Sequence, residues 1–151
     1  MINKTELSET NCFDFIFLKL FRFIMVDGKK QTAQNILKKS LLRATNTLSQ
    51  QDEKKVLVTA IFNVSPDIEI KSKRIGSTSY QIPRSITLDK KINLGIKLLL
   101  QACKSRKEKN IESKLASELV DAYNNKGLAV KKKDEIHKLA ESNKSLAHFS
   151  W

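Results

Sequence analysis

The chain has 151 residues, a formal net charge of +12 at pH 7, 40% hydrophobic residues and 29% charged ones. That length suits one domain, which can bury a core of its own without a disulfide or a metal for support. The composition excludes a disordered tail. The surplus of cations ranks nucleic acid or an anionic membrane first among partners, and says nothing about fold.

Lys4, Lys19 and Arg22 stand against Glu6, Glu9, Asp14 and Asp27, so residues 1–27 are slightly acidic and the remaining 124 hold the positive charge. Residues 1–12 form a poorly determined N-terminal segment. Phe13, Ile16, Phe17, Leu20 and Ile24 then share one helical face, and Phe15, Leu18 and Phe21 widen it. This helix is expected to be buried on more than one side. It is too short to span a membrane and carries Asp14, Lys19 and Arg22, so no membrane partner is expected. Asp27-Gly28 ends it.

Ala33, Ile36, Leu37, Leu41, Ala44 and Leu48 mark a second helix. Asp52 caps a third, with Val56, Leu57, Ala60, Ile61 and Val64 on its apolar face, and Pro66 closes it. The period then drops to two in Ile68-Glu69-Ile70-Lys71 and again in Tyr80-Gln81-Ile82-Pro83-Arg84-Ser85-Ile86. Gly76-Ser77-Thr78-Ser79 between them is turn chemistry, which predicts a β-hairpin over about 67–87. Pro83 leaves its strand a free edge. A lone ribbon is marginal, so it must lean on helices at its base and project beyond them.

Helices resume with Asp89 as N-cap and Ile92, Ile96, Leu99 and Cys103 as a stripe. Ile111, Leu115, Leu119 and Tyr123 form the next, closed by Gly127. The last is expected from about Lys131 to about Phe149, with Ile136, Leu139, Ala140, Leu146 and Ala147 inward. The expected fold is mainly α: a single six-helix domain over 1–151, with one inserted β-hairpin between the third and fourth helices.

Four clusters of cations are candidates for RNA contact. The hairpin interval holds Lys71, Lys73, Arg74 and Arg84 and no acid. Phosphates would neutralise such a ribbon. Tyr80 can stack on a base, Arg74 can stack or fork onto phosphate, and Gly76 admits close approach. Lys131-Lys132-Lys133 would open the last helix, where cations oppose the helix dipole unless a phosphate reverses the sign. Asp134 and Glu135 offer a competing account in which the lysines are only solvated. Lys104, Arg106 and Lys107 form a third cluster, softened by Glu108. Lys29-Lys30 follow the first helix stop; they lack the glycines and Ser/Thr of a phosphate loop, so nucleotide binding is not expected.

Catalysis has little support. His137 and His148 are the only histidines, no nucleophile is placed with them, and no paired carboxylates sit in an apolar setting. Cys12 and Cys103 stand alone, which offers no metal spacing and fits a reducing compartment. No enzyme activity, cofactor or metal is expected.

Longer strings carry a resemblance. Phe21-Arg22-Phe23-Ile24-Met25-Val26-Asp27-Gly28-Lys29-Lys30 with Ala33 and Ile36-Leu37 is similar to the N-terminal signature of the ribosomal small-subunit protein seven family. The run Val64 to Gly76 with Thr78 and Tyr80-Gln81-Ile82-Pro83 resembles that family's hairpin. Leu115 to Ala122, and Ala129 to Asn143-Lys144 with Ala147-His148-Phe149, resemble its later helices. The resemblance covers roughly residues 14–151. It implies an all-helical fold with one hairpin, and a structural protein binding the 3′ major domain of small-subunit rRNA and nucleating assembly of the subunit head. It also implies that Arg74, Ile75, Gly76, Lys144, His148 and Trp151 lie near the exit-site tRNA and the mRNA path. Its implied neighbours are small-subunit proteins nine, eleven, thirteen and nineteen. Residues 1–13 offer only Lys4 where bacterial members carry a basic arm, and Ser150-Trp151 stand where many have Arg.

The chain has 23 Lys against 5 Arg, with 14 Ile and 10 Asn, an AT-rich flavour. The N-terminus, with Glu6, Glu9, Asp14 and no early Arg, does not read as a transit peptide. Synthesis inside an organelle, a mitochondrion before a plastid, is the expectation; an AT-rich bacterium is the alternative. A free basic helical regulator of DNA or RNA is the rival function. It should read base edges from one recognition helix, whereas this chain spreads its cations over four segments.

Overall fold

Asp27 and Gly28 both take left-handed backbone angles, φ 53° and 68°. The chain turns there between α1 (Glu9–Ile24) and α2 (Lys30–Leu48). The computed structural model describes residues 9–49 and 52–149; the N-terminal segment 1–8 and Trp151 lie outside them. α3 (Glu53–Val64) starts as expected: the Asp52 carboxylate accepts from the Lys54 N–H at 2.9 Å and the Lys55 N–H at 3.4 Å. Such a cap satisfies N–H groups that have no partner within the helix. Pro66 follows its C-cap, Ser65.

β1 (Ile68–Ile75) and β2 (Thr78–Ser85) pair antiparallel, with Ile75 opposite Thr78. The turn is thus Gly76-Ser77 alone, tighter than the four-residue stretch expected. Gly76 has φ 64°, the only positive angle in that turn, which suits a two-residue hairpin with Gly first. α4 (Leu88–Ser105), α5 (Ile111–Tyr123), α6 (Gly127–Ser142) and a 3₁₀ helix (Lys144–Phe149) complete the chain. Among the described residues there are six α-helices and one hairpin between the third and fourth, so the expected architecture is observed.

The core is continuous through α1 to α6. Ile16 and Leu20 of α1 meet Leu37 and Leu41 of α2, Leu57 and Ile61 of α3, Ile92, Ile96 and Leu99 of α4, and Leu115 and Leu119 of α5, all buried. Each such side chain contributes roughly 1.5–3 kcal/mol on leaving water. At Gly95 a Cβ would stand 2.2 Å from Ser65 Oγ, so α4 crosses the end of α3 at a distance only glycine allows.

Four local expectations need correction. α4 begins at Leu88 after Thr87, so Asp89 sits in the first turn and not at the cap. There it suits the helix dipole and pairs with Lys19 of α1. α6 begins at Gly127, four residues before Lys131, because a buried carboxylate from α5 receives its first turn. Gly127 therefore opens α6 rather than closing α5, and the last α-helix stops at Ser142, with the 3₁₀ segment beyond it. Finally, burial along two helices is narrower than their stripes suggested. Leu18 is 53% and Leu139 50% exposed, although Phe13, Phe15, Phe17 and Phe21 do pack partly against the core.

Candidate nucleic-acid interface

The hairpin is fixed at its base. Ile82 and Pro83 are buried, and the Asp67 N–H donates to His137 Nε2 at 3.2 Å. Asp67 also pairs with Lys91, whose hydrogen bond holds the carboxyl below the usual aspartate range. One histidine that sequence reading left without a role therefore locks α6 to the strand entry.

Beyond this base the ribbon is exposed. Register and the alternation of side chains put Lys71, Lys73, Tyr80 and Arg84 on one face and Arg74 on the other. Lys71, Arg74 and Arg84 are exposed, Lys73 is half-buried, and Tyr80 is 37% exposed. Nothing lies within 4 Å of a Cβ built on Gly76, so the tip is open on that side. The interval Lys71–Arg84 holds no acid, as read, but Glu69 stands just outside it. Its carboxylate lies 3.3 Å from Lys71 Nζ and opposite Arg84 in register, so the ribbon is less unbalanced than the interval alone suggests. The Ile75 side chain lies outside the described residues.

Arg84 and Lys144 line one cleft of about 450 Å³ with His137 and Glu141. The structure thus brings the hairpin base and the C-terminal 3₁₀ helix together. The His148 side chain, like Trp151, lies outside the described residues. Lys131 is exposed and Lys132 half-buried, while Lys133 Nζ donates to the Asn63 carbonyl at 2.9 Å. These lysines sit in the second turn of α6. They do not stand at the helix N-terminus, where a phosphate would be favoured: α6 begins at Gly127, and there the Ala129 N–H donates to Glu118 Oε1 at 3.1 Å.

A second group gathers around the turn after α1 and the C-terminal half of α4. The Lys29 N–H donates to the Val26 carbonyl at 3.0 Å, and Lys29 and Lys30 are exposed. Val26, Phe23, Leu100 and Ile111 form an apolar groove of about 440 Å³ bordered by Lys97, Gln101 and Lys104. Lys97 escaped the sequence reading because it belongs to no run of cations. Lys90, Lys97 and Lys104 are seven residues apart, on one exposed face of α4; that spacing was the available signal. Cys103 lies beneath the same groove, its thiol pushed up to about 11 by burial, so it stays protonated near neutral pH.

Arg106 differs from its neighbours Lys104 and Lys107, which are exposed. Its guanidinium faces inward onto Glu118, Asp121 and Glu108. Burial pushes its pKa down, but the bonds to Glu118 and Asp121 outweigh that and hold it above the ordinary arginine value.

No group of metal-ligating side chains occurs among the described residues, and no described helix is long and apolar enough to cross a membrane. What remains is a helical body with cations presented at two corners and along a ribbon. Residues 2–144 match the sequence profile of the family described as ribosomal protein S7p/S5e. The chain belongs to that family. It is 39% identical over 138 residues to the small ribosomal subunit protein uS7 of Geotalea uraniireducens, covering 91% of this chain and 88% of that one. The uS7 proteins of Shewanella sediminis and Phytoplasma mali are 41% and 43% identical, over 90% and 88% of this chain and 86% and 85% of theirs. A member of this family is a structural, non-enzymatic constituent of the small ribosomal subunit, and the ribosome is where it works. Four dispersed basic segments suit that role better than the single recognition helix of a free regulator.

Proposed function

We propose that this protein binds the 3′ major domain of small-subunit rRNA and helps nucleate assembly of the subunit head. The observation that carries the reading is the hairpin: an exposed cationic ribbon whose base is held by Ile82, Pro83 and His137. Folded RNA is recognised largely through phosphates and shape, which suits cations spread over a rigid body. Lys29, Lys30, Lys104 and Lys107 would anchor one side on rRNA, together with Lys131 and Lys132. Lys71, Lys73, Arg74, Gly76, Tyr80 and Arg84 would extend from that anchored body. The tip at Arg74–Gly76 and the C-terminal segment with Lys144, His148 and Trp151 would lie near the exit-site tRNA and the mRNA. Small-subunit proteins nine, eleven, thirteen and nineteen would be its neighbours. The Lys- and Ile-rich composition supports a mitochondrial ribosome as the setting.

The test is binding to a transcript of the 3′ major domain across a salt series. With five to eight phosphate contacts, log affinity should fall against log salt with a slope of roughly −4 to −7. A flat salt dependence would remove the electrostatic account.

A further inference from the structure

The Glu118 carboxylate is fully buried, so it must be matched inside the protein. Its two oxygens serve two different parts of the chain. Oε2 accepts from Arg106 Nε at 2.6 Å, and Oε1 accepts from the Ala129 N–H at 3.1 Å. Arg106 continues the network: Nη2 pairs with Asp121, and Nη1 lies 3.5 Å from Glu108 Oε1. The start of α6 is pressed against the same cluster. A Cβ on Gly127, at φ +92°, would stand 3.0 Å from Asp121 Cβ and 3.3 Å from Glu118 Oε1. The connection 106–110 between α4 and α5 and the first turn of α6 are thus both referenced to one carboxylate on α5. Exposed lysines flank both: Lys107 and Lys109 on the connection with Lys104 in the last turn of α4 before it, and Lys131 in the turn of α6 that follows its first.

We infer that Arg106 is a positioning residue that acts through Glu118, setting the lysines of the 106–110 connection and of α6 in one fixed geometry for a single RNA surface, and that it is not itself a phosphate ligand. This rests on the rRNA-binding reading above. The physical reason lies in the guanidinium. A planar fork reaches Glu118 and Asp121 at once, whereas a lysine ammonium is a point charge on a flexible stem. Once both segments are fixed, an RNA that engages one need not order the other, and that ordering cost would otherwise weaken binding.

The test uses the full chain with Arg106→Lys and Arg106→Gln, at a temperature where thermal scans show each variant folded. Affinity for the rRNA transcript is measured across salt, with amide hydrogen exchange at Ala129 measured in the free protein. Positioning predicts that both variants lose affinity on the order of tenfold, as expected when a charged hydrogen-bond network is broken. The salt slope should then fall by more than one cation accounts for, and exchange at Ala129 should quicken. If Arg106→Lys binds like the unsubstituted protein while Arg106→Gln is weakened, Arg106 is an ordinary phosphate cation and the inference is overturned. If both fold less stably yet bind normally, its role is only structural, and the inference again fails. Should an Arg106 variant not fold, Asp121→Asn removes one limb of the fork and leaves Glu118 paired; unchanged affinity and exchange would count against the inference. Should the unsubstituted protein show no salt-dependent RNA binding, the rRNA reading itself is lost. Exchange at Ala129 in the variants then decides the clamp alone.

Discussion

Two basic segments that look alike in the sequence are used in opposite ways. In the hairpin, Lys71, Arg74 and Arg84 are exposed on a ribbon whose base is held by Ile82, Pro83 and His137. In the 106–110 connection the one arginine turns inward onto Glu118 and Asp121, and its neighbours Lys104, Lys107 and Lys109 stay outside. The difference follows from what each side chain can reach. Near the ribbon's tip Arg74 is exposed, and nothing lies within 4 Å of a Cβ built on Gly76. Beside the connection, α5 offers the buried Glu118 carboxylate and Asp121, which together receive the guanidinium. A cation in a basic run is thus a candidate for RNA only once the fold has shown that it is not needed inside.

The largest effect expected from this contrast is at Glu118. Glu118→Ala leaves Arg106 without its buried partner and frees the Ala129 N–H. Chemical denaturation should show a loss of about 1–3 kcal/mol, the cost of leaving the buried Ala129 N–H unsatisfied while Arg106 keeps Asp121 and Glu108. A loss below about 1 kcal/mol would mean the two basic segments do not differ in the way described.

Next comes the ribbon. Replacing Lys71, Arg74 and Arg84 together by Gln should change stability by no more than about 1 kcal/mol, because exposed ion pairs such as Lys71–Glu69 contribute little. The same triple variant should bind rRNA more weakly, with its salt slope reduced by about 2–3. Strong destabilisation without a change in slope would reverse the assignment of outward and inward charges.

The smallest effect concerns the hairpin base in acid. The Asp67 carboxyl is depressed by its hydrogen bond from Lys91. A depressed carboxylate contributes stability that is present above its unfolded value, about pH 3.9, and lost as pH falls through the lower folded value. Amide exchange at the start of β1 should therefore stay slow down to about pH 4 and quicken below it, by a small factor because Asp67 is exposed. In Lys91→Gln the largest cause of that depression is gone, so the acid-dependent part of the protection should shrink. An identical profile would remove Lys91 from the anchoring of the hairpin.

Much of the fold was legible because local signals agreed with one another. Apolar residues at helical spacing in α2, α3 and α5, the cap at Asp52, the alternation around Gly76 and the stop at Asp27-Gly28 each named an element that is present. Helix boundaries were less legible where a distant residue supplies the partner. Lys131-Lys132-Lys133 looked like a helix start because the residue that receives the true first turn, Glu118, lies eleven positions before Ala129. The stripe of Lys90, Lys97 and Lys104 is hard to read for the opposite reason: its signal is a spacing of seven and not a run of cations.

The sequence by itself determined the class of the molecule: a basic, mainly helical domain with one hairpin, and motifs that resemble one ribosomal family. These properties depend on local periodicity, turn chemistry and summed charge, none of which needs a neighbour from far along the chain. Only the tertiary structure decided which cations face outward. That choice depends on burial and on partners such as Glu118 for Arg106, Asn63 for Lys133 and Asp89 for Lys19. A charge leaves water only where the fold supplies its counterpart, and the counterpart's position exists only once the helices have packed.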